Sequence, residues 1–139
     1  MASTSRGGRT YLSTPTSTGP PGYIETLERS DESVDRAEAF ARHAVRVWSL
    51  DPVADRVALV MRELASNAVA FGTRGSICAA VRRVERRAVR VEVTDHARTL
   101  PVLAPAASSG LRRVDEIAAD WGTEPRSWGG KTVWATVRE

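Results

Sequence analysis

Cysteine occurs once, at Cys78, so the chain can close no internal disulfide. A lone thiol suits a reducing compartment. Histidine occurs twice, at His43 and His96, and these residues with Cys78 offer no metal-ligand spacing, so no structural metal is expected. Lysine is as scarce: Lys131 is the single lysine among 20 basic residues, and the others are arginine. No apolar run approaches the roughly 20 residues that cross a bilayer. The polar opening MASTSRGGRT leads into no apolar stretch of the secretory kind. No segment repeats another. These absences exclude a disulfide scaffold, a zinc module and a repeat array, and the expectation is a cytoplasmic protein without membrane contact.

What remains is an ordinary globular composition. The chain has 139 residues, 42% hydrophobic and 27% charged, which suits one domain with one core. The net charge of +3 and pI of about 9.7 raise the question of nucleic acid. The arginines, however, are interspersed with acids along the whole length, the pattern of a solvated surface, and no direct nucleic-acid contact is expected.

Residues 1–22 are rich in Ser, Thr, Gly and Pro without any period and read as a flexible tail; the domain is expected over residues 23–139. YIETLER reads as an edge strand. A first helix is predicted from about Asp31 to Trp48, with Val34, Ala37, Ala41, Val45 and Trp48 on one face and Ser30 or Ser33 as cap. Asp51-Pro52 reads as N-cap and first-turn proline of a second helix, which turns Val53, Val57, Val60, Met61, Leu64, Ala68 and Phe71 inward and stops at Gly72. From Ser76 the period changes to two. Ile77, Ala79 and Val81, then Val89, Val91 and Val93, predict a hairpin turning at Glu85-Arg86-Arg87. Residues 96–109 form a long aperiodic loop, a length that usually has a functional reason. A third helix follows from Gly110 to about Asp120, and a second hairpin closes the chain with Val133, Ala135 and Val137 on one face. Three helices with hairpins in this order predict a two-layer α/β (α+β) sandwich with a mixed, mostly antiparallel sheet.

Chemistry concentrates on the second helix, in RELASNAVAFG. Glu63 and Asn67 are one turn apart and share a strip of the helix. A carboxylate and a carboxamide oxygen aimed at one point suit a hard cation such as Mg²⁺, and the carboxylate could also orient a hydroxyl as a base. An ordinary reading fits too, with Glu63 in solvent and Asn67 bonded to a neighbouring turn. Asp95 ends VRVEVTD where the chain leaves the sheet; it can accept from a base amino group or simply shape a turn. Gly110 opens a helix, where free N–H groups attract phosphate. Gly129-Gly130-Lys131-Thr132 enters the last strand, with glycines that also suit a plain hairpin, and Thr132 is expected to point off the sheet opposite to Val133.

These pieces, in this order, resemble the histidine-kinase-like ATPase (GHKL, Bergerat fold) superfamily, and within it the small single-domain branch of anti-sigma-factor serine kinases. The resemblance covers roughly residues 23–137. RELASNAVAFG looks like the family's N box, VEVTD like the strand ending in the adenine-reading aspartate, SGLRRVDEIAADWG like the start of the helix after the ATP lid, and GGKTVWA like the closing strand. The resemblance implies ATP and Mg²⁺ as cofactors. It implies Glu63 as the catalytic base and Asn67 as the Mg²⁺ ligand. Asp95 would be the acceptor for the adenine amino group, Gly110 and Leu111 would close on the phosphates, and Thr132 would support Asp95 from the sheet. The first glycine box is replaced by Asp95-His96-Ala97-Arg98-Thr99, so Arg98, with His96, would meet phosphate by side chain rather than backbone. Two serines precede the single Gly110. The implied activity is Mg-ATP-dependent serine/threonine phosphorylation of an antagonist (anti-anti-sigma) protein, combined with sequestration of a sigma factor; homodimers are frequent in the branch. The alternative is a partner-binding module that senses nucleotide or needs none.

Overall fold

The computed structural model describes residues 14–71, 75–96 and 109–139. The elements are β1 (Thr14–Pro15), β2 (Gly22–Glu28), α1 (Asp31–Val47), α2 (Ala54–Phe71), β3 (Ser76–Glu85), β4 (Ala88–Asp95), α3 (Ser109–Ile117), β5 (Asp120–Pro125) and β6 (Lys131–Arg138), with a 3₁₀ turn at Asp51–Val53. The strands form one six-stranded sheet in the order β1-β2-β3-β4-β6-β5. Every described pairing is antiparallel, so the mixed sheet expected from sequence is not what forms. Hairpins join β3 to β4 and β5 to β6, and tight turns produce antiparallel neighbours.

One face of the sheet is apolar. Leu27, Ile77, Ala79, Val81, Val89, Val91, Val93, Val133, Ala135 and Val137 alternate inward and are buried. Helices α1 and α2 cover this face, and α3 packs on α2 and β5. Val34, Ala37, Ala41 and Val45 from α1 meet Val57, Val60, Met61 and Leu64 from α2 in a single core. Each fully buried valine, leucine or methionine among them stabilises the fold by about 1.5–3 kcal/mol against leaving it in water. The result is an α+β two-layer arrangement. Among the described residues no helix is long and apolar enough to cross a membrane.

Several local details differ from the sequence reading. Within the stretch read as a tail, β1 pairs Thr14 with Ile24 and Pro15 with Tyr23. The turn that follows is held by Arg82, whose Nη1 donates to the carbonyls of Thr18 at 2.6 Å and Pro20 at 3.1 Å. Arg82 is therefore a clamp on the sheet edge. Ser30 occupies the N-cap of α1 without a side-chain capping bond; its hydroxyl lies 3.3 Å from that of Ser33. Asp51 does not cap α2 but opens the 3₁₀ turn, and α2 begins at Ala54. Trp48 lies just beyond α1 and stacks on Tyr23, with centroids 5.8 Å apart. Phe71, expected inside, is 60% exposed as the last residue of α2. Arg29 donates to the carbonyl of Val69 at 2.9 Å and so satisfies a free acceptor at that helix end. Gly72 and the loop residues 97–108 lie outside the described residues.

Candidate functional site

Helix α2 presents Glu63 and Asn67 from the same strip, and both are half-buried. Their neighbours Val60, Met61, Leu64, Ala65 and Ala68 are buried in the core, so the two polar residues mark the border of the apolar face. The Glu63 side chain is only 13% exposed, and its Oε2 accepts from Nη1 of Arg113 at 3.0 Å. Arg113 belongs to α3, two residues after Leu111, which is buried in the core. Gly110 lies in the first turn of α3. The packing of α3 on α2 thus brings the start of the third helix beside the carboxylate of the second.

Asp95 ends β4 on the helix-covered face and is 3% exposed. Register places it opposite Lys131 at the start of β6. Lys131 Nζ lies 3.0 Å from Oδ1 and 3.0 Å from Oδ2, so the ammonium donates to both carboxylate oxygens. Helix α2 packs against the strand that ends in Asp95. The next pair along the ladder, Thr94 and Thr132, turns to the opposite face. The two hydroxyl oxygens are 2.6 Å apart, and Arg126 Nε donates to Thr132 Oγ1 at 2.8 Å. Thr132 is fully buried there and points away from the face that carries Asp95, and the residue set against Asp95 is Lys131. Arg98 lies outside the described residues. His96 packs on Trp128 of the β5–β6 turn, with centroids 5.0 Å apart, at the same end of the sheet.

Two groups form. One joins Glu63 to α3 through Arg113, and the other joins Asp95 to Lys131 at the end of the sheet. The sequence reading named one member of each and missed the cationic partner. Lys131 carried a signal, as the sole lysine of an arginine-rich chain and immediately before Thr132. Arg113 carried none, because its contact depends on how α3 docks.

The chemistry of these donors can be judged directly. A carboxamide oxygen and a carboxylate one turn apart fit Mg²⁺, which takes one or two protein oxygens and completes its shell with water and phosphate oxygens. The Asp95 carboxylate fits a base amino group in kind, provided that Lys131 gives up its hold. Among the described residues no cluster of three His, Cys, Asp or Glu side chains could hold a metal by itself. Compared with known proteins, the chain matches no family model and no curated sequence.

Proposed function

We propose that this chain is an ATP-binding regulatory protein of the anti-sigma-factor type, built on a Bergerat fold and acting in the cytoplasm. In this reading it is a Mg-ATP-dependent serine/threonine kinase toward an antagonist protein and a sequestering partner for a sigma factor. The observation that carries the reading is the pair Glu63 and Asn67, one turn apart at the border of the apolar face of α2, a helix seated on the strand that ends in buried Asp95. A carboxylate and a carboxamide one turn apart are the kind of donor pair that suits Mg²⁺.

Each residue then has a task. Asn67 contributes its carboxamide oxygen to Mg²⁺. Glu63 orients the attacking hydroxyl and holds its proton. Asp95 accepts from the base amino group, while Gly110 and Leu111 bring the start of α3 toward the phosphates. Bound Mg-ATP supplies a transferable phosphoryl group, and the protein acts on it chiefly by position and charge.

A second reading, a partner-binding module without transfer activity, is favoured by one observation: Arg113 and Lys131 already engage the two carboxylates assigned to catalysis and base reading. Calorimetric titration with ATP, with and without Mg²⁺, separates the two readings when run beside Asn67→Ala. The expected result is Mg²⁺-dependent binding that weakens at least about tenfold in the variant, the equivalent of ~1.4 kcal/mol. Binding that is equal in both proteins would remove Asn67 from the site. No binding by the folded protein would leave the partner-binding reading in first place.

A further inference from the structure

Lys131 and Asp95 form a nearly dry contact. Their side chains are 6% and 4% exposed, and the ammonium meets both carboxylate oxygens at 3.0 Å. Charge-assisted bonds of this kind are about twice as strong as neutral ones, and a low local dielectric strengthens them further. The exocyclic amino group of a 6-aminopurine is a neutral donor that seeks the same oxygens. It cannot match the ammonium lone pair for lone pair, and the burial of the contact leaves it little room to approach from the side.

Resting on the assignment of Asp95 as the base-reading residue, we propose that Lys131 is a resident competitor for the nucleobase: its ammonium keeps the Asp95 carboxylate occupied until an amino-bearing purine nucleotide displaces it, and so sets both the affinity and the base selectivity of the site. The register supports this. Asp95 and Lys131 are cross-strand partners, so the contact is built into the β4–β6 ladder. The backbone beside it has no slack. A Cβ on Gly130 would collide with the Asp95 carbonyl oxygen and the Trp128 ring. The start of β6 is pressed against the end of β4, and the lysine side chain is the flexible member of the pair. Lysine suits that role. It is a point charge on a flexible stem with rotating donors, where arginine's planar fork would clasp the carboxylate in one fixed geometry. The one position at which this chain uses lysine is the one that has to let go.

The test uses the whole chain. Selective ¹⁵N-lysine labelling yields a single side-chain Nζ resonance, because Lys131 is the only lysine. ATP and a purine ribonucleoside triphosphate without the 6-amino group are titrated into the native protein and into Lys131→Met. Expected are a shift of the Nζ resonance with ATP but not with the des-amino nucleotide, and ATP affinity about tenfold higher in the variant, with no gain for the des-amino nucleotide. An Nζ resonance unmoved at ATP saturation, or a folded variant that binds ATP no better than the native chain, overturns the competition and leaves the nucleotide reading standing. Failure of both proteins to bind either nucleotide overturns the nucleotide reading and the competition with it. Should Lys131→Met not fold, because it leaves a buried carboxylate without its ammonium, the resonance of the native chain decides alone.

Discussion

At the scale of single residues, three carboxylates meet three different fates. Glu63 is paired to an arginine that is 57% exposed, a contact worth little to stability because solvent screens it. Asp95 is locked to a buried lysine, where loss of one partner is expensive. Glu25 has neither arrangement. It faces the core from β2, is 1% exposed, and neither of its oxygens accepts a hydrogen bond among the described residues. Its nearest cation is Arg36, with Nη2 3.8 Å from Oε2. Burial pushes the Glu25 carboxyl above its ordinary pKa, and Arg36 only partly opposes that. A carboxyl whose pKa is raised in the folded state binds its proton more tightly there than in the unfolded chain. Its folded form is therefore unpenalised below the unfolded pKa, and stability is lost as pH rises through the raised value. Glu25→Gln removes the charge and keeps the shape. In urea melts the variant should be more stable than the native chain at pH 7.5, because it carries no charge to desolvate. The advantage should shrink toward pH 4.5. An advantage that stays constant with pH would mean that Glu25 does not titrate in this range.

At the scale of elements, the end of α1 shows how local backbone chemistry joins two helices. Ser49 has φ 58°, the left-handed conformation. Its N–H bonds to the Arg46 carbonyl at 2.9 Å and the N–H of Leu50 to the Val45 carbonyl at 3.0 Å, the paired closure of a Schellman motif. Glycine is the usual residue at that position, because a Cβ is strained there. Ser49→Gly should therefore raise thermal stability, by about 1 kcal/mol or a little less, and a lower melting temperature would contradict this account of the helix end. The same region shows what a sequence can and cannot tell. The 3.6-residue spacing of Val34, Ala37, Ala41 and Val45, and the alternation of Val89, Val91 and Val93, made the helices and the hairpin legible, because burial writes itself into periodicity. Thr14–Pro15 was not legible, because two residues have no period and their pairing comes from the turn that Arg82 holds. Glu63 and Asn67 could be placed from spacing along one helix. The opposition of Asp95 to Lys131 could not, since it depends on cross-strand register, and a shift of one residue would have set Thr132 there instead.

At the scale of the whole molecule, the question is what a net charge of +3 does. The arginines are not gathered into one free basic surface. Arg42 pairs with Asp55 and Glu38, and Arg62 with Asp35 and Glu38, across the outer side of α1 and α2. On the sheet face away from the helices, Arg82 and Arg90 share Glu92, while Arg90 and Arg126 share Glu124. Trp134, the aromatic ring on that face, is covered by Arg90 with its guanidinium carbon 4.4 Å from the ring centroid. A surface that binds nucleic acid keeps its guanidinium groups available to phosphate and its rings available to bases. Trp134 and these five arginines are engaged internally, and a phosphate approaching them would have to compete with carboxylates already in place. A labelled DNA duplex titrated at about 50 mM and about 200 mM salt should accordingly show binding no tighter than the non-specific range, about 10⁻⁴ to 10⁻⁶ M. A thousandfold or greater loss of affinity between those salt concentrations would reveal roughly six or more phosphate contacts. That outcome would show that the ion pairs on the sheet and helix surfaces yield readily to phosphate, and that the basic pI is a binding property rather than a by-product of arginine-rich composition.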